Sequence, residues 1–227
     1  MTEITAKLVA ELRAKTGVGL IDCKRALTDA AGDFEAAVDV LRKMGMATAA
    51  KKAGRDASDG IIARCLSEDG RSGVLVELNC ETDFVAKNEE FQAFGAEVAS
   101  MLLADSDADL EEMRTSQIAK IGENIKIARS ERLSVDGSGI VESYVHTGAK
   151  VAVLLTLTCD SEETSARQET KLLAKDICMH VAATNPICVS RENIPAETAE
   201  KEKEIALAQA EGKPPQAIEK IVQGKLE

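Results

Sequence analysis

Hydrophobic residues recur at helical spacing along the first part of the chain. Ile4, Leu8 and Leu12 follow one another at intervals of four, so they lie on one face of a helix. Two further stripes follow, and a glycine that suits a helix end closes each of the three: Gly17, Gly32 and Gly45. Residues 1–46, here called the head, are therefore predicted to form a small three-helix domain. So short a segment encloses only a marginal core, and we expect it to dock on another protein rather than to be a folding unit alone.

From residue 60 the spacing changes to the period-two alternation of β-strands. Residues 60–80 and 139–159 carry the same pattern at a constant offset of 79, with six identities in 21 positions. Each segment is predicted to be a β-hairpin, and each is followed by a helical pattern. The body of the chain is therefore predicted to hold two copies of a hairpin-plus-helix unit, core subdomain 1 at residues 60–138 and core subdomain 2 at residues 139–194.

The two helices that follow the hairpins show apolar stripes. The stripe at residues 89–104 predicts burial of Phe91, Phe94, Val98 and Leu102, and the stripe at residues 164–183 predicts burial of Leu172, Leu173, Ile177 and Val181. His180 lies on the apolar face of the second helix, so a hydrogen-bonded core histidine is expected there. Between the copies, residues 125–133 are expected to add a strand to the second sheet.

Two segments lack the apolar stripes of a folded core. Residues 47–59 are polar and alanine-rich, which favours a solvated linker, with a basic contact to a partner as the alternative. Residues 195–227 are rich in Glu, Lys and Ala and carry Pro214-Pro215 between two helical stretches, which predicts a helical hairpin. This arm is expected to project from the body, either into solvent or as an assembly surface. The complete pattern is that of an α+β protein.

The charge of the 227-residue chain excludes several classes of protein. Lys and Arg number 28 against 39 Asp and Glu, a net charge of −11, whereas direct binding of nucleic acid requires a basic excess. The first 54 residues sum to +2, so a basic head is joined to an acidic body. No apolar run reaches the ~18 residues of a membrane span, and charges near the N-terminus leave no signal peptide. A cytoplasmic protein without membrane association is expected.

The motifs of metal and cofactor enzymes are absent from the sequence. Its six cysteines show no C-x-x-C spacing and only two histidines accompany them, so no zinc site is predicted. It contains neither a glycine-rich nucleotide-binding motif nor H-E-x-x-H. We therefore expect no cofactor, no metal and no catalytic residue. A Cys–His hydrolase is the remaining enzymatic alternative, although no cysteine stands out as activated.

The most distinctive segment reads ETDFVAKN and directly follows the strand that ends at Cys80. We expect residues 82–88 to form a loop, since Asn88 is a good N-cap for the helix that comes next. Phe84 has two interpretations. It either seals the core beneath that helix, or it stands beside Asp83 as a rigid aromatic side chain that is presented to another protein.

Two long motifs carry a family resemblance. Residues 12–27 read LRAKTGVGLIDCKRAL and residues 77–87 read ELNCETDFVAK. The first looks like the N-terminal domain of the bacterial elongation factor Ts family, and the second is similar to the most diagnostic motif of that family. Shorter matches follow in the same order: GENI at 122–125, YVH at 144–146 and MHVAA at 179–183. The resemblance covers essentially the whole chain and implies a head of the ubiquitin-associated type.

The resemblance implies a guanine-nucleotide exchange factor that performs no covalent chemistry. Its partner would be elongation factor Tu, the GTPase that delivers aminoacyl-tRNA during translation elongation. In the family an Asp-Phe wedge intrudes beside the partner's nucleotide site, disturbs the Mg²⁺ environment and displaces a switch-region helix. Carried over, the wedge and its frame are Thr82, Asp83, Phe84 and Val85. The implied docking residues of the head are Arg13, Val18, Gly19 and Lys24, and core subdomain 2 is implied to contact the partner's β-domains through His146.

The end of the chain departs from the family pattern. Many members continue beyond the helical hairpin into a segment with a Q-P-F-like motif, whereas this chain stops after GKLE at residues 224–227. We therefore expect a short natural form or a fragment, and the hairpin is the segment through which family members can pair as homodimers. The alternative function is a protein-binding adaptor, or a truncated factor, that holds its partner through the head without promoting exchange.

Overall fold

The computed structural model describes residues 3–209 and Lys220. In chain order the elements are α1 (Ala6–Thr16), α2 (Leu20–Asp29), α3 (Phe34–Lys52), β1 (Asp59–Leu66), β2 (Ser72–Cys80), α4 (Asp83–Ala86), α5 (Glu89–Ala104), α6 (Glu111–Ile121), β3 (Lys126–Ser134), β4 (Gly139–Val145), β5 (Ala152–Thr158), α7 (Glu162–Ala166), α8 (Gln168–Thr184) and α9 (Ala196–Gln209), with a 3₁₀ turn at Arg191–Asn193. The mixture of helices with small antiparallel sheets is that of an α+β protein, as predicted. The chain divides into two units, residues 1–182 and 183–227. The finer division into head, linker, two subdomains and arm stays a prediction.

Helices α1 to α3 form where the sequence supplies their caps. The Thr5 hydroxyl accepts from the Leu8 N–H at the start of α1, and the Asp33 carboxylate accepts from the Ala36 N–H at the start of α3. Gly17 ends α1 with a φ of 71°, a conformation that favours glycine. The three helices enclose one apolar cluster, whose buried members are Val9, Leu12, Val18, Cys23, Ala26, Leu27, Ala37 and Leu41.

Helix α3 does not end at Gly45, and that prediction is wrong. It continues to Lys52, so the first half of the predicted 47–59 linker is helical. Gly45 is buried instead at the packing of α3 against α6, where a Cβ would lie 3.4 Å from the Ala119 Cβ. A glycine in a helix can thus serve close approach between helices as well as termination.

The larger sheet has the order β1-β2-β3 and is antiparallel throughout. Helix α5 packs on it and buries the predicted stripe of Phe91, Phe94, Val98 and Leu102. Strand β3 was expected in the second sheet, and this expectation is wrong, because β3 pairs with the free edge of β2. Nearly every residue of β3 is exposed, and such a polar strand suits the outer edge of a sheet.

The second hairpin repeats the first at the level of the backbone. Gly60 pairs with Asn79 across β1 and β2, and Gly139 pairs with Thr158 across β4 and β5, the same register shifted by 79 residues. Both glycines face a carbonyl oxygen so closely that a Cβ would lie 2.0 Å from it at Gly60 and 2.5 Å from it at Gly139. The internal duplication predicted from the sequence is therefore present in the strand pairing.

The two copies also bind each other through equivalent atoms. The Ile62 N–H donates to the Ala149 carbonyl at 2.7 Å, and the Val141 N–H donates to the Gly70 carbonyl at 2.7 Å. Ile62 and Val141 are equivalent residues of the two copies, 79 positions apart, and so are Gly70 and Ala149. The two hydrogen bonds are therefore equivalent. Reciprocal contacts of this kind are typical of an isologous, two-fold arrangement. The hairpins therefore face each other about a pseudo-two-fold axis.

The helix predicted at residues 164–183 is two helices, α7 and α8, separated by an extended Arg167. The buried residues of α8 are Ala174 and Cys178. The predicted burial is wrong for Leu172 and Leu173, which are half exposed, whereas Ile177 and Val181 are partly buried. His180 is exposed rather than a core histidine, because it lies two positions from Cys178 and hence on the opposite side of the helix.

The second unit contributes α9, which matches the first helix of the predicted arm. The second helix of that arm and the turn before it lie outside the described residues, apart from Lys220. Within the part of the chain that the structure describes, no helix combines the length and the apolarity needed to cross a membrane.

Candidate functional site

The segment after β2 is a helical turn, so the prediction of a loop over residues 82–88 is wrong in part. Asp83–Ala86 form the single turn α4, and the Thr82 hydroxyl caps it by accepting from the Val85 N–H at 3.4 Å. Asn88 then caps α5, as predicted, by accepting from the N–H groups of Glu90 and Phe91. Two successive caps within seven residues define the direction of the chain on both sides of Phe84.

Phe84 is exposed to 81%, which contradicts the interpretation that it seals the core. Phe91 and Phe94 fill that core instead, and Ala86 is buried against the same cluster while Val85 packs beside it. One side of α4 is thus anchored in apolar surroundings while the other side presents the aromatic ring to solvent. An exposed aromatic on an anchored turn is an arrangement typical of a protein-binding site.

Asp83 occupies the first position of the turn, beside Phe84. Its carboxylate accepts from the Lys87 ammonium group at 2.6 Å, and this hydrogen bond raises the pKa of Lys87. Both side chains are exposed, and ion pairs of this kind contribute little to stability because water screens them. The Asp83 carboxylate is therefore available to a partner at little cost.

Residues 81 and 82 are held by a segment forty residues further along. The Glu123 carboxylate accepts from the N–H groups of Glu81 and Thr82, both at 3.0 Å, and from the Thr82 hydroxyl at 2.7 Å. In return, the Glu81 carboxylate accepts from the Asn124 N–H at 2.7 Å and from Arg55 at 3.1 Å. The Asn124 N–H and, secondarily, the Arg55 charge hold the pKa of Glu81 below its usual range.

Sequence reasoning assigned no role to Glu123 or Asn124, and it considered Arg55 only as part of the basic linker that could contact a partner. The signal that could have found Glu123 and Asn124 is the GENI motif at residues 122–125, which appeared only as a match to the family. No local pattern connects that motif to Thr82, because their proximity depends on the return of the chain through α6.

A shallow groove of about 460 Å³ runs beside α4. Asp83 and Lys87 line one side of it, and His146 and Lys150 from the turn between β4 and β5 line another. His146 is exposed, and its Nδ1 lies 2.9 Å from the Tyr144 hydroxyl. The structure thus brings two of the predicted contact regions, the wedge and His146, to one groove.

The predicted docking residues of the head lie elsewhere, around the start of α2. Arg13, Gly19 and Lys24 are exposed, whereas Val18 is buried within the core of the head. Directly beside them, Ile21 is exposed to 85%. Sequence reasoning did not single out Ile21. The available signal was its place two positions before Cys23, which puts it on the opposite side of α2 from that buried residue.

Two buried cysteines, Cys80 and Cys178, have unreactive thiols. The thiols of Cys80 and Cys178 are buried, and loss of solvent raises the pKa of each to about 11. They are therefore protonated at neutral pH, unlike an activated nucleophile. Among the described residues, no group of three or more His, Cys, Asp or Glu side chains is arranged to hold a metal ion.

Comparison with known proteins assigns the chain to a family. The family model described as Elongation factor TS matches residues 81–227. The elongation factor Ts of Clostridium perfringens (strain SM101 / Type A) is 48% identical over 239 residues, covering 98% of this chain and 77% of the relative. That of Clostridium botulinum (strain Eklund 17B / Type B) is 45% identical over 240 residues, covering 99% and 78%. These matches show that the chain belongs to the elongation factor Ts family.

Proposed function

We propose that this protein is a guanine-nucleotide exchange factor for elongation factor Tu and accelerates GDP release during polypeptide elongation. The observation that supports this function is the 81% exposure of Phe84 on a turn whose other side is buried. The partner of such a group is a protein surface, since an aromatic ring gains most by being buried in an apolar pocket.

Asp83 and Phe84 act together on the partner's nucleotide site. Bound guanine nucleotide is held by phosphate contacts and by a Mg²⁺ ion that neutralises their charge. The Asp83 carboxylate disturbs the environment of that ion, and the Phe84 ring displaces a helix of the switch region. Thr82 and Val85 hold the two side chains in place, the first as the cap and the second by packing on the core.

The free energy of burying Phe84 in the partner is large enough to raise the rate of nucleotide dissociation substantially. Moving a phenylalanine side chain from water into an apolar pocket contributes about 1.5–3 kcal/mol. If all of it opposes bound nucleotide, the dissociation rate rises about ten- to hundredfold. Linkage also requires that nucleotide lower the equilibrium affinity for the factor by the same ratio by which the factor lowers the affinity for nucleotide. The ternary complex is therefore transient, and the factor leaves when a new nucleotide binds.

Other parts of the chain supply affinity. The head at residues 1–46, proposed to be of the ubiquitin-associated type, docks on the GTPase domain through the surface that includes Arg13, Gly19 and Lys24. Exposed Ile21 supplies the apolar centre that such a contact needs. His146 contacts the partner's β-domains, and two copies pair through the segment at residues 195–227. No bound cofactor, metal or nucleic acid takes part.

The test is the release of a fluorescent GDP analogue from elongation factor Tu, chased with excess unlabelled GDP. The unaltered protein is compared with Asp83→Ala/Phe84→Ala and with the control Leu133→Ala, an exposed apolar truncation on β3 outside the site. We expect acceleration by the unaltered protein and by the control, and a loss of at least about tenfold in the double variant.

Either of two results would contradict this function. Acceleration that survives in the double variant would exclude Asp83 and Phe84 as the cause of GDP release. Binding without any acceleration would favour an adaptor that holds its partner through the head.

A further inference from the structure

Glu123 directs both oxygens of one carboxylate at the residues immediately before the wedge. One oxygen accepts from two successive N–H groups, those of Glu81 and Thr82, and the other accepts from the Thr82 hydroxyl. Hydrogen bonds to an ionised carboxylate are about twice as strong as neutral ones. Three of them on one dipeptide fix both the path of the backbone and the rotamer of Thr82.

The contact also sets the cap of α4. The Thr82 hydroxyl has one proton, which it donates to Glu123, so a lone pair is left to accept from the Val85 N–H. That capping bond is long, at 3.4 Å, and a single four-residue turn has no stability of its own in water. The orientation of α4, and with it the direction of Phe84, therefore depends on what holds Thr82.

Glu123 is itself rigidly placed. The preceding Gly122 ends α6 in the left-handed conformation, and its carbonyl accepts from the Lys52 side chain at the end of α3. The following Asn124 is buried, and its side chain donates to the Arg55 carbonyl at 2.8 Å. The carboxylate is thus tied to the helix that runs back into the head and to the helix that packs against it.

We propose that Glu123 is a positioning residue for the exchange reaction, holding Asp83 and Phe84 at the angle at which they enter the partner. This inference rests on the proposed exchange function. Glu123 acts through Thr82, because its carboxylate accepts from the N–H groups of residues 81 and 82 and from the Thr82 hydroxyl. Its loss is expected to leave the docking of the head intact and to reduce the maximal stimulated rate of GDP release.

The first experiment measures stimulated GDP release across a range of factor concentrations for Glu123→Ala, Glu123→Gln and the control Glu131→Ala on the exposed strand β3. Removing several charged hydrogen bonds is expected to lower the maximal rate about tenfold in Glu123→Ala, with less than about a twofold change in the half-saturating concentration. Glu123→Gln keeps an amide oxygen for the backbone N–H groups and is expected to restore part of the rate. The control is expected to match the unaltered protein.

The second experiment adds Glu123→Ala to the Asp83→Ala/Phe84→Ala background. A residue that acts only through the wedge causes no further loss there, whereas a merely structural residue causes the same loss in both backgrounds. Equal losses in the two backgrounds, or full activity of Glu123→Ala alone, would overturn the inference.

A third readout is independent of exchange activity. Amide hydrogen exchange of Thr82 is expected to accelerate by at least about tenfold in Glu123→Ala and by less in Glu123→Gln, which keeps an acceptor for the Thr82 N–H, with the amides of β1 unchanged. Unchanged protection of Thr82 would overturn the positioning contact. An unaltered protein that fails to accelerate GDP release from elongation factor Tu would instead overturn the proposed function, so the two failures are distinguishable.

Discussion

Phe84 and Glu81 are three positions apart, yet they have opposite environments. The ring of Phe84 is presented to solvent, whereas the carboxylate of Glu81 receives hydrogen bonds from Arg55 and Asn124. The sequence identified Phe84 as a candidate because aromatic residues are scarce and it follows a strand, but it left both interpretations open. The exposure of one side chain depends on which neighbours fill the core, and here Phe91 and Phe94 do so.

The pKa of Glu81 predicts a pH dependence at this site. Because its pKa lies below the ordinary value of 4.5, ionised Glu81 stabilises the folded state above that value, and the contribution is lost as the pH falls through the lowered pKa. Glu81→Gln is therefore expected to be less stable than the unaltered protein at about pH 7, with a smaller difference at about pH 3. Urea unfolding at the two pH values measures it, with Glu131→Gln as the control. A difference that stays constant with pH would contradict this account.

At the scale of elements, glycine was the least reliable signal. Gly17 ends α1 as its position predicts, but Gly45 lies inside α3 and Gly60 is the second residue of β1. Glycine permits a left-handed turn, a close contact between helices or a close contact between strands, and the local sequence does not show which of the three applies. The neighbouring element decides, which is α6 for Gly45 and β2 for Gly60.

These environments predict opposite effects of the same substitution. At Gly45 an alanine Cβ meets Ala119 at ordinary contact distance, so Gly45→Ala is expected to stabilise the protein by about 0.5–1 kcal/mol through helix propensity. At Gly60, with a φ of 149°, the Cβ would lie 2.0 Å from the Leu78 oxygen, so Gly60→Ala is expected to destabilise by at least about 2 kcal/mol. Thermal or urea unfolding decides both, and a destabilised Gly45→Ala would mean that α3 and α6 are packed too tightly for a methyl group.

At the scale of the whole molecule, the internal repeat explains why Asp83 and His146 share a groove. Duplicated hairpins that pack face to face bring the turn of one copy beside the first strand of the other, and Ala149 and Ile62 bind each other in this way. Arg64 of β1 adds a side-chain contact, donating to the carbonyl of Ser143 at 3.0 Å and to its hydroxyl at 2.7 Å. Ser143 is the equivalent of Arg64 in the second copy.

The Arg64 contact is therefore expected to hold the two copies together. Arg64→Ala leaves the oxygens of buried Ser143 without this donor, and a loss of about 1–3 kcal/mol in unfolding free energy is expected. The matched control is Arg129→Ala on β3, which breaks only an exposed ion pair with Glu77 and is expected to cost less than about 1 kcal/mol. Equal effects of the two substitutions would show that Arg64 contributes no more than a surface charge.

The sequence by itself determined the features that depend on neighbours along the chain. These are the helical stripes of the first 46 residues, the end of α1 at Gly17, the two hairpins in equal register, the cap at Asn88 and the candidacy of Asp83 and Phe84. Periodicity and capping are local properties, and the repeat offset is visible in the residues themselves.

Only the tertiary structure decided what lies opposite each residue. It placed β3 beside β2, turned Leu172 and Leu173 outward, exposed Phe84, and brought Glu123 to the backbone of Thr82. Each of these outcomes depends on contacts between segments far apart in the chain, where burial and hydrogen bonding of one segment are satisfied by another. Such pairings are set by the packing of the whole fold and leave no periodic trace in the sequence.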